Sequence, residues 1–276
     1  MAEEVAQPQP QPQLGKEGLA CILMQAMFAA KNLRAQRDRL LQLRRRLQRS
    51  PGDASALQEV ASGLHKVCFE GLNAGSRYLT SGLQITAEHG ARDSFSITAF
   101  AVIPEEQLYD VLLTQWLPPR PATQADAFAR MESAFYAVKL AEEHHIPRCI
   151  ELLSGVRQPP AKARPLGSVI GYSDDTVQGV NEHLTKNGFP EPAPAPAPAA
   201  GNKPPQASSS VDPDQALSYL HRACSLAGLA VKHTDVAVAA ISSWIDPEEV
   251  AETSEWADEY TYISQDGPYP SDNNSV

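Results

Sequence analysis

The side chains best suited to chemistry in this sequence are arginines, which cluster in one stretch near the amino terminus. Residues 16–49 hold nine lysines or arginines and only two acids. A guanidinium group presents several N–H donors in a planar fork that matches phosphate and carboxylate oxygens, so the cluster predicts binding of an anion. A purely solvated helix face is the alternative, because charged runs often only keep a protein soluble. The arginines concerned are Arg34, Arg37, Arg39, Arg44, Arg45, Arg46 and Arg49.

Acids dominate the other end of the chain. Residues 233–276 hold ten Asp or Glu and no Lys or Arg. We expect this acidic tail to dock on a partner through its aromatic residue, or to compete within the chain for the arginines as an autoinhibitor. The residues assigned to it are Glu248, Glu249, Glu252, Glu255, Trp256, Asp258 and Glu259.

Patterns that would indicate catalysis or metal binding are weak. Two His/Cys groups could each offer two metal ligands, whereas a closed zinc site needs four, and core packing explains both groups. No phosphate-binding glycine loop and no nucleophile elbow occurs in the sequence. We therefore predict a protein that is not an enzyme, with no metal, cofactor or small-molecule substrate. The two groups are His144, His145 and Cys149, and His221 and Cys224.

The arginines lie on a helix that also carries a heptad pattern. Nine positions from Leu19 to Leu47 follow a 3-4 spacing and eight of them are apolar, which is typical of a helix that packs lengthwise on another helix. Arginines flank this seam on both sides, so a parallel homodimer would oppose like charges and an acidic partner fits better. The seam is predicted to bind a protein partner or to mediate self-association into a homo-oligomer. Its residues include Leu19, Ile22, Leu33, Leu40, Leu43 and Leu47.

A second helix should fold back on the first. Proline and glycine at residues 50–52 end the first helix, and Asp53 can cap the next one. The result is an antiparallel helical hairpin over residues 18–74. At 1.5 Å per residue the first helix spans roughly 48 Å and the second about 30 Å, so the two do not match. We therefore expect the unmatched apolar end, residues 19–30, to be buried against the rest of the domain or another subunit.

Beyond the helical hairpin, the pattern predicts a small β-hairpin and several more helices. The β-hairpin covers residues 83–103, with strands at 83–88 and 94–103 around a glycine-containing turn. Helices begin near Pro104 and Thr123, and shorter ones are predicted at 149–153 and 174–187. The inward stripe of the helix from Thr123 is Phe128, Met131, Phe135, Val138 and His145. The fold class is therefore mainly α, as an α-rich α+β fold.

Low-complexity stretches divide the chain. Residues 1–14 form a Gln/Pro leader that we expect to be disordered, and 189–211 form a Pro/Ala/Ser linker typical of an extended spacer. Between them lies the principal domain, residues 15–188. Residues 212–262 are predicted to be a helical appendage, with one helix ending near Gly228, a second element at 236–245 and an acidic helix from Pro247. A disordered tail, 263–276, follows.

Composition limits the class of protein. Its 276 residues, 42 % of them hydrophobic, are sufficient for a substantial core, and the net charge of −10 disfavours polyanionic partners when averaged over the surface. The four scattered cysteines indicate reduced thiols, and we recognise neither a signal peptide nor a membrane span. We expect a cytoplasmic or nuclear protein that is neither secreted nor inserted in a membrane. Its predicted function is that of a scaffold or assembly protein, with an RNA-binding or nucleocapsid-type protein as the alternative.

Overall fold

Helices make up nearly all of the ordered backbone. A computed structural model describes residues 13–88, 105–155 and 211–265, and in these ranges the chain is mainly α, which confirms the predicted class. Two short π-helical turns join neighbouring helices, Val67–Leu72 between α2 and α3, and Ala141–His145 between α5 and α6. The α-helices are α1 (Lys16–Arg49), α2 (Ala54–Lys66), α3 (Asn73–Glu88), α4 (Glu105–Thr114), α5 (Gln124–Leu140), α6 (Ile146–Ser154), α7 (Pro213–Ser242) and α8 (Pro247–Gln265).

The first helical hairpin forms as its local signals predict. Helix α1 ends at Arg49, and Asp53 caps α2 by accepting a hydrogen bond from the Ser55 amide at 3.0 Å. The two arms run antiparallel, because Gly63 faces Leu43 near the turn while Gly75 faces Leu33 further along. The turn and the cap are therefore where the sequence placed them.

The predicted mismatch in length between the two arms is wrong. The π-helical turn at Val67–Leu72 does not end the second arm, which continues as α3 to Glu88 and so runs about as far as α1. Gly82 near its end faces Ile22 of α1. The apolar segment 19–30 is thus covered by the same chain.

The first predicted β-strand is also wrong. Residues 83–88 form the last turns of α3, in which Leu83 and Thr86 are buried. Together with Leu79, these residues recur every three or four positions on the inner side of the helix, which is the helical period. A stretch of only six residues is too short to distinguish this period from the alternation of a strand. The second predicted strand, 94–103, lies outside the described residues.

Helix α7 closes a four-helix bundle. It runs antiparallel to α1, because Arg34 contacts Asp235 while Arg44 contacts His221. It also packs lengthwise on α5. The segments α1, α2–α3, α5–α6 and α7 alternate in direction around a common core, as in an up-down-up-down bundle, with α4 packed on α5 and α8 on α1.

Helix α5 is enclosed by its neighbours. Almost every residue from Ala127 to Ala141 is buried, including the charged residues Arg130 and Lys139. The five residues predicted to face inward are each at most 1 % exposed, but their burial does not set them apart from the other sides of this enclosed helix. The five are Phe128, Met131, Phe135, Val138 and His145.

The carboxyl-terminal region differs from the sequence analysis in two respects. Pro213–Ser242 is one uninterrupted helix, capped by Asp212, and Gly228 does not end it. Moreover, this helix packs between α1 and α5, whereas the sequence pattern placed it in an appendage. The predicted linker and the predicted helix 174–187 lie outside the described residues, apart from position 211 of the linker.

Within the described part of the chain, α7 is long and apolar enough to cross a membrane, judged by length and composition alone. Half of its most apolar window is buried inside the bundle, and core helices of soluble proteins meet the same criterion. Its packing between α1 and α5 accounts for its apolar character.

Candidate binding surface on the first helix

The predicted seam of α1 faces the interior of the bundle. Its partners are the α2–α3 and α7 segments of the same chain. Any contact with another molecule therefore has to use a different surface of α1. Leu19, Ile22, Leu33, Leu40 and Leu47 are at most 3 % exposed, and Leu43 is partly buried against the same core.

Three of the predicted arginines form ion pairs within the chain. Arg34 contacts Asp235 at 2.6 Å, Arg46 contacts Glu59 at 3.0 Å, and Arg37 contacts its neighbour Asp38 at 2.8 Å. All three pairs lie at the surface, where such pairs contribute little to stability. Their charges are nonetheless largely neutralised.

Three other arginines are exposed and form no ion pair with the described part of the chain: Arg39, Arg45 and Arg49. Arg45 and Arg49 are four residues apart, so they extend from the same side of α1 on successive turns. Arg39 precedes Arg45 by six positions and therefore extends from a side of the helix about 120° away. We call these three exposed residues together the arginine face. Their donors are available to an anion from outside the chain.

The acidic helix α8 begins at the opposite end of α1. Asp246, just before α8, contacts the Lys16 ammonium at 2.7 Å. Lys16 lies about 27 Å along the helix axis from Arg34 at 1.5 Å per residue. Autoinhibition of the arginines by the tail thus remains a prediction, since no ion pair among the described residues joins α8 to them.

Of the four acidic residues of the predicted tail whose side chains are described, three are open to solvent. Glu248, Glu252 and Glu255 are exposed, Glu249 is partly buried near Lys16, and Trp256 is 63 % exposed. The side chains of Asp258 and Glu259 are not among those described. The tail therefore retains a free aromatic group.

Arg44 extends to the other side of α1, into a cleft between α1, α4 and α7. The cleft has a volume of about 460 Å³ and is open to solvent. Polar and basic side chains dominate its wall, which makes it suited to a polar ligand. Those that could contact a ligand are Arg44, Gln48, Tyr109, Ser218, His221 and Arg222.

The contact between Arg44 and His221 defines the hydrogen-bonding state of the imidazole. Arg44 Nη1 lies 3.2 Å from His221 Nδ1. Because a guanidinium can only donate, Nδ1 accepts and the proton of the neutral ring is on Nε2. The Arg44 Nε atom is buried and has no hydrogen-bond partner among the described residues.

Arg222 rests on aromatic rings beside the cleft. Its guanidinium carbon lies 5.4 Å from the centre of the Tyr109 ring and 6.0 Å from that of Tyr219. The buried His145 ring packs against both tyrosines, at 5.6 and 6.0 Å. These contacts restrict the guanidinium, and its N–H donors form no hydrogen bond or ion pair with the described residues.

Sequence reasoning identified Arg44 but missed the rest of the cleft. The sequence pattern pairs His221 with Cys224 as candidate metal ligands, and it gives no role to Tyr109 or Arg222. One signal was present: His221 and Arg222 are adjacent basic residues in an otherwise apolar stretch of α7. Their convergence with Arg44 depends on the register between α1 and α7, which the sequence does not reveal.

A buried arginine and histidine lie elsewhere, between α5 and α7. Arg130, 5 % exposed, donates to His233 Nδ1 at 2.8 Å and to the carbonyl oxygens of Leu117 and Pro118 at 2.8 and 2.5 Å. Burial lowers the pKa of Arg130, and burial together with the Arg130 charge lowers the pKa of His233 to about 4. This group ties the connection after α4 to the bundle.

An ion-pair cluster joins the two π-helical turns. Lys139 Nζ lies 3.1 Å from carboxylate oxygens of both Glu142 and Glu143, and the Cys68 thiol donates to the Glu142 carbonyl at 3.3 Å. Burial raises the pKa of Glu142, with Lys139 opposing it. Burial acts to lower the pKa of Lys139, but the two carboxylates outweigh this and raise it. The cluster links α5 to the α2–α3 arm.

Among the described residues, no group of three or more His, Cys, Asp or Glu side chains is arranged to hold a metal ion. No protein-family model, curated protein or solved structure matches this chain.

Proposed function

We propose that this protein is a non-enzymatic scaffold that holds an acidic segment of a protein partner on the arginine face of α1. The supporting observation is that Arg39, Arg45 and Arg49 are exposed and lack ion pairs with the described residues, whereas other arginines of the same helix are paired. Because the leucine seam is buried inside the bundle, the outer side of α1 is the part of this helix open to a partner.

An acidic protein fits this surface better than RNA does. The arginine face offers only three side chains, and residues 31–49 contain no aromatic side chain on which a base could stack. The net charge of −10 also repels a long polyanion, whereas a short acidic segment can contact the arginines while avoiding most of that field. RNA is the alternative partner that the same experiment has to exclude.

Charge reversal on the arginine face tests the proposal. We would measure binding of a fluorescent Glu-rich peptide, and of a labelled RNA oligomer, to the full chain by anisotropy at low and moderate salt. In the variant R39E/R45E/R49E, peptide affinity should fall by at least about tenfold, because three attractions become repulsions. Peptide binding should also weaken less steeply with salt than binding to many RNA phosphates would.

A matched control reverses three exposed cations outside α1. The variant K66E/R77E/R120E has the same net charge, and these side chains form no ion pair within the described structure. Peptide affinity should stay close to wild type in this variant. Equal losses in the two variants, or unchanged affinity in the first, would overturn the proposal. Tighter binding of RNA than of the peptide, with a steep salt dependence, would identify a nucleic acid as the partner in place of an acidic protein.

A further inference from the structure

The cleft between α1, α4 and α7 is lined by two guanidinium groups and a single carboxylate, that of Asp214. Arg44 and Arg222 both line it, and neither forms an ion pair within the described residues. Asp214 lies at its edge and is exposed, but it is not within ion-pair distance of either guanidinium. Two guanidinium groups that share one concave wall favour an anion between them.

We propose that this cleft binds the phosphoryl group of a ligand. Two guanidinium groups, the His221 Nε2–H, the Ser218 hydroxyl and the Gln48 amide supply more donors than the two oxygens of a carboxylate can use. A phosphate monoester presents three acceptor oxygens and close to two negative charges, which matches this donor set. The site is separate from the arginine face, so it does not depend on the proposed scaffold function.

Arg44 is prepared for such a ligand by its surroundings. One of its terminal nitrogens donates to His221, and this contact fixes the guanidinium against α7. Its Nε atom is buried without a hydrogen-bond partner in the described structure, so the group has donor capacity that the fold leaves unused. Apart from the contact with His221, no hydrogen bond among the described residues uses the terminal N–H groups of Arg44, and these can donate to a phosphoryl oxygen in the cleft.

Arg222 is held in place by contacts with two tyrosine rings, and no hydrogen bond or ion pair among the described residues uses its N–H donors. Because the tyrosines restrict its rotation, less side-chain entropy is lost when it binds an anion. The volume of about 460 Å³ is large enough for a phosphorylated side chain or a small phosphorylated metabolite, and exceeds what inorganic phosphate needs. Leu217, also in the wall, offers an apolar contact to the body of such a ligand.

Calorimetric titration of the full chain tests the proposal. The probes are a phosphoserine peptide, its unphosphorylated form, glucose 6-phosphate, glucose and acetate. Binding of at least one phosphorylated probe is expected, with no detectable binding of its unphosphorylated form or of acetate. Preference for the peptide would identify a phosphorylated protein as the source of the phosphoryl group, and preference for the sugar phosphate would identify a small metabolite.

Substitutions then locate the site. Arg44→Gln and Arg222→Gln should each weaken binding by at least about tenfold, since each removes a charge-assisted contact. Arg222→Lys keeps the charge but lacks the planar fork, so it should not restore full affinity. Arg120→Gln is the control, because Arg120 is exposed and does not line the cleft. Absence of phosphate binding, equal binding of acetate, or an equal loss in the control would overturn the proposal.

Discussion

Gly71 lies directly against Gln36, the one polar residue in the heptad pattern of α1. A β-carbon at position 71 would overlap the Gln36 side chain, which is itself buried at 5 % exposure. The absence of a side chain at 71 therefore lets the α2–α3 arm approach α1 closely at the point where a bulkier polar group interrupts the leucines. Gly63 and Gly75 make similar close approaches to Leu43 and Leu33.

Gly71→Ala should destabilise the protein by about 1–3 kcal/mol, because the added β-carbon would force the buried Gln36 side chain out of its present position. Denaturant unfolding followed by circular dichroism measures the change. Gly228→Ala is the matched control: this glycine is also helical, but an added β-carbon would meet nothing within 4 Å. That substitution should stabilise the fold by about 0.5–1 kcal/mol. The same sign for both substitutions would contradict the close approach.

His233 should make stability depend on pH in the mildly acidic range. Its folded-state pKa is lowered from 6.5 to about 4, so the unfolded chain takes up a proton first as the pH falls. Stability should therefore decrease from about pH 6.5 and level off below about pH 4, by roughly 3 kcal/mol in total.

The measurement compares unfolding free energies of wild type and His233→Asn across this range. Asn keeps an acceptor for Arg130 but does not titrate, so the difference between the two proteins isolates the histidine. An unchanged difference between pH 7 and pH 4 would show that His233 does not remain neutral in the folded state.

The cysteines should differ strongly in reactivity. Cys21 is exposed, whereas burial raises the pKa of Cys68 and Cys149 to about 12 and that of Cys224 to about 11. A thiol reagent should thus modify one cysteine quickly in the folded protein and the other three only after unfolding. Cys21→Ser should abolish the fast phase, while Cys68→Ser should preserve it. More than one fast thiol would contradict the burial described above.

Features set by neighbouring residues could be predicted from the sequence. Asp53 caps α2 as its position after the turn predicts, and Phe128, Met131 and Phe135, which the spacing assigned to the core, are buried. Each of these signals lies within a few residues of the structure that it determines. The strand predicted at 83–88 failed because a short apolar run fits either period, and burial by α1 and α5 decided between them.

Features that depend on register between distant helices could not be predicted. The cleft requires Arg44 to lie opposite His221 and Arg222, and the buried pair requires Arg130 to lie opposite His233. Nothing near any of these residues in the sequence indicates its partner. The same limitation applies to the arginines of α1. Arg34 differs from Arg39, Arg45 and Arg49 because it is paired with Asp235, and this pair exists only in the folded protein.

The position of α7 in the bundle has a consequence for synthesis of the chain. Arg34 and Asp235 are separated by 201 positions in the sequence, yet their helices lie side by side. During translation, α1 and α5 leave the ribosome well before the helix that covers their remaining apolar surfaces. The nascent protein must therefore keep an unfinished core in solution until residue 242 has emerged, a period in which chaperones would recognise it and premature termination would leave it prone to aggregate.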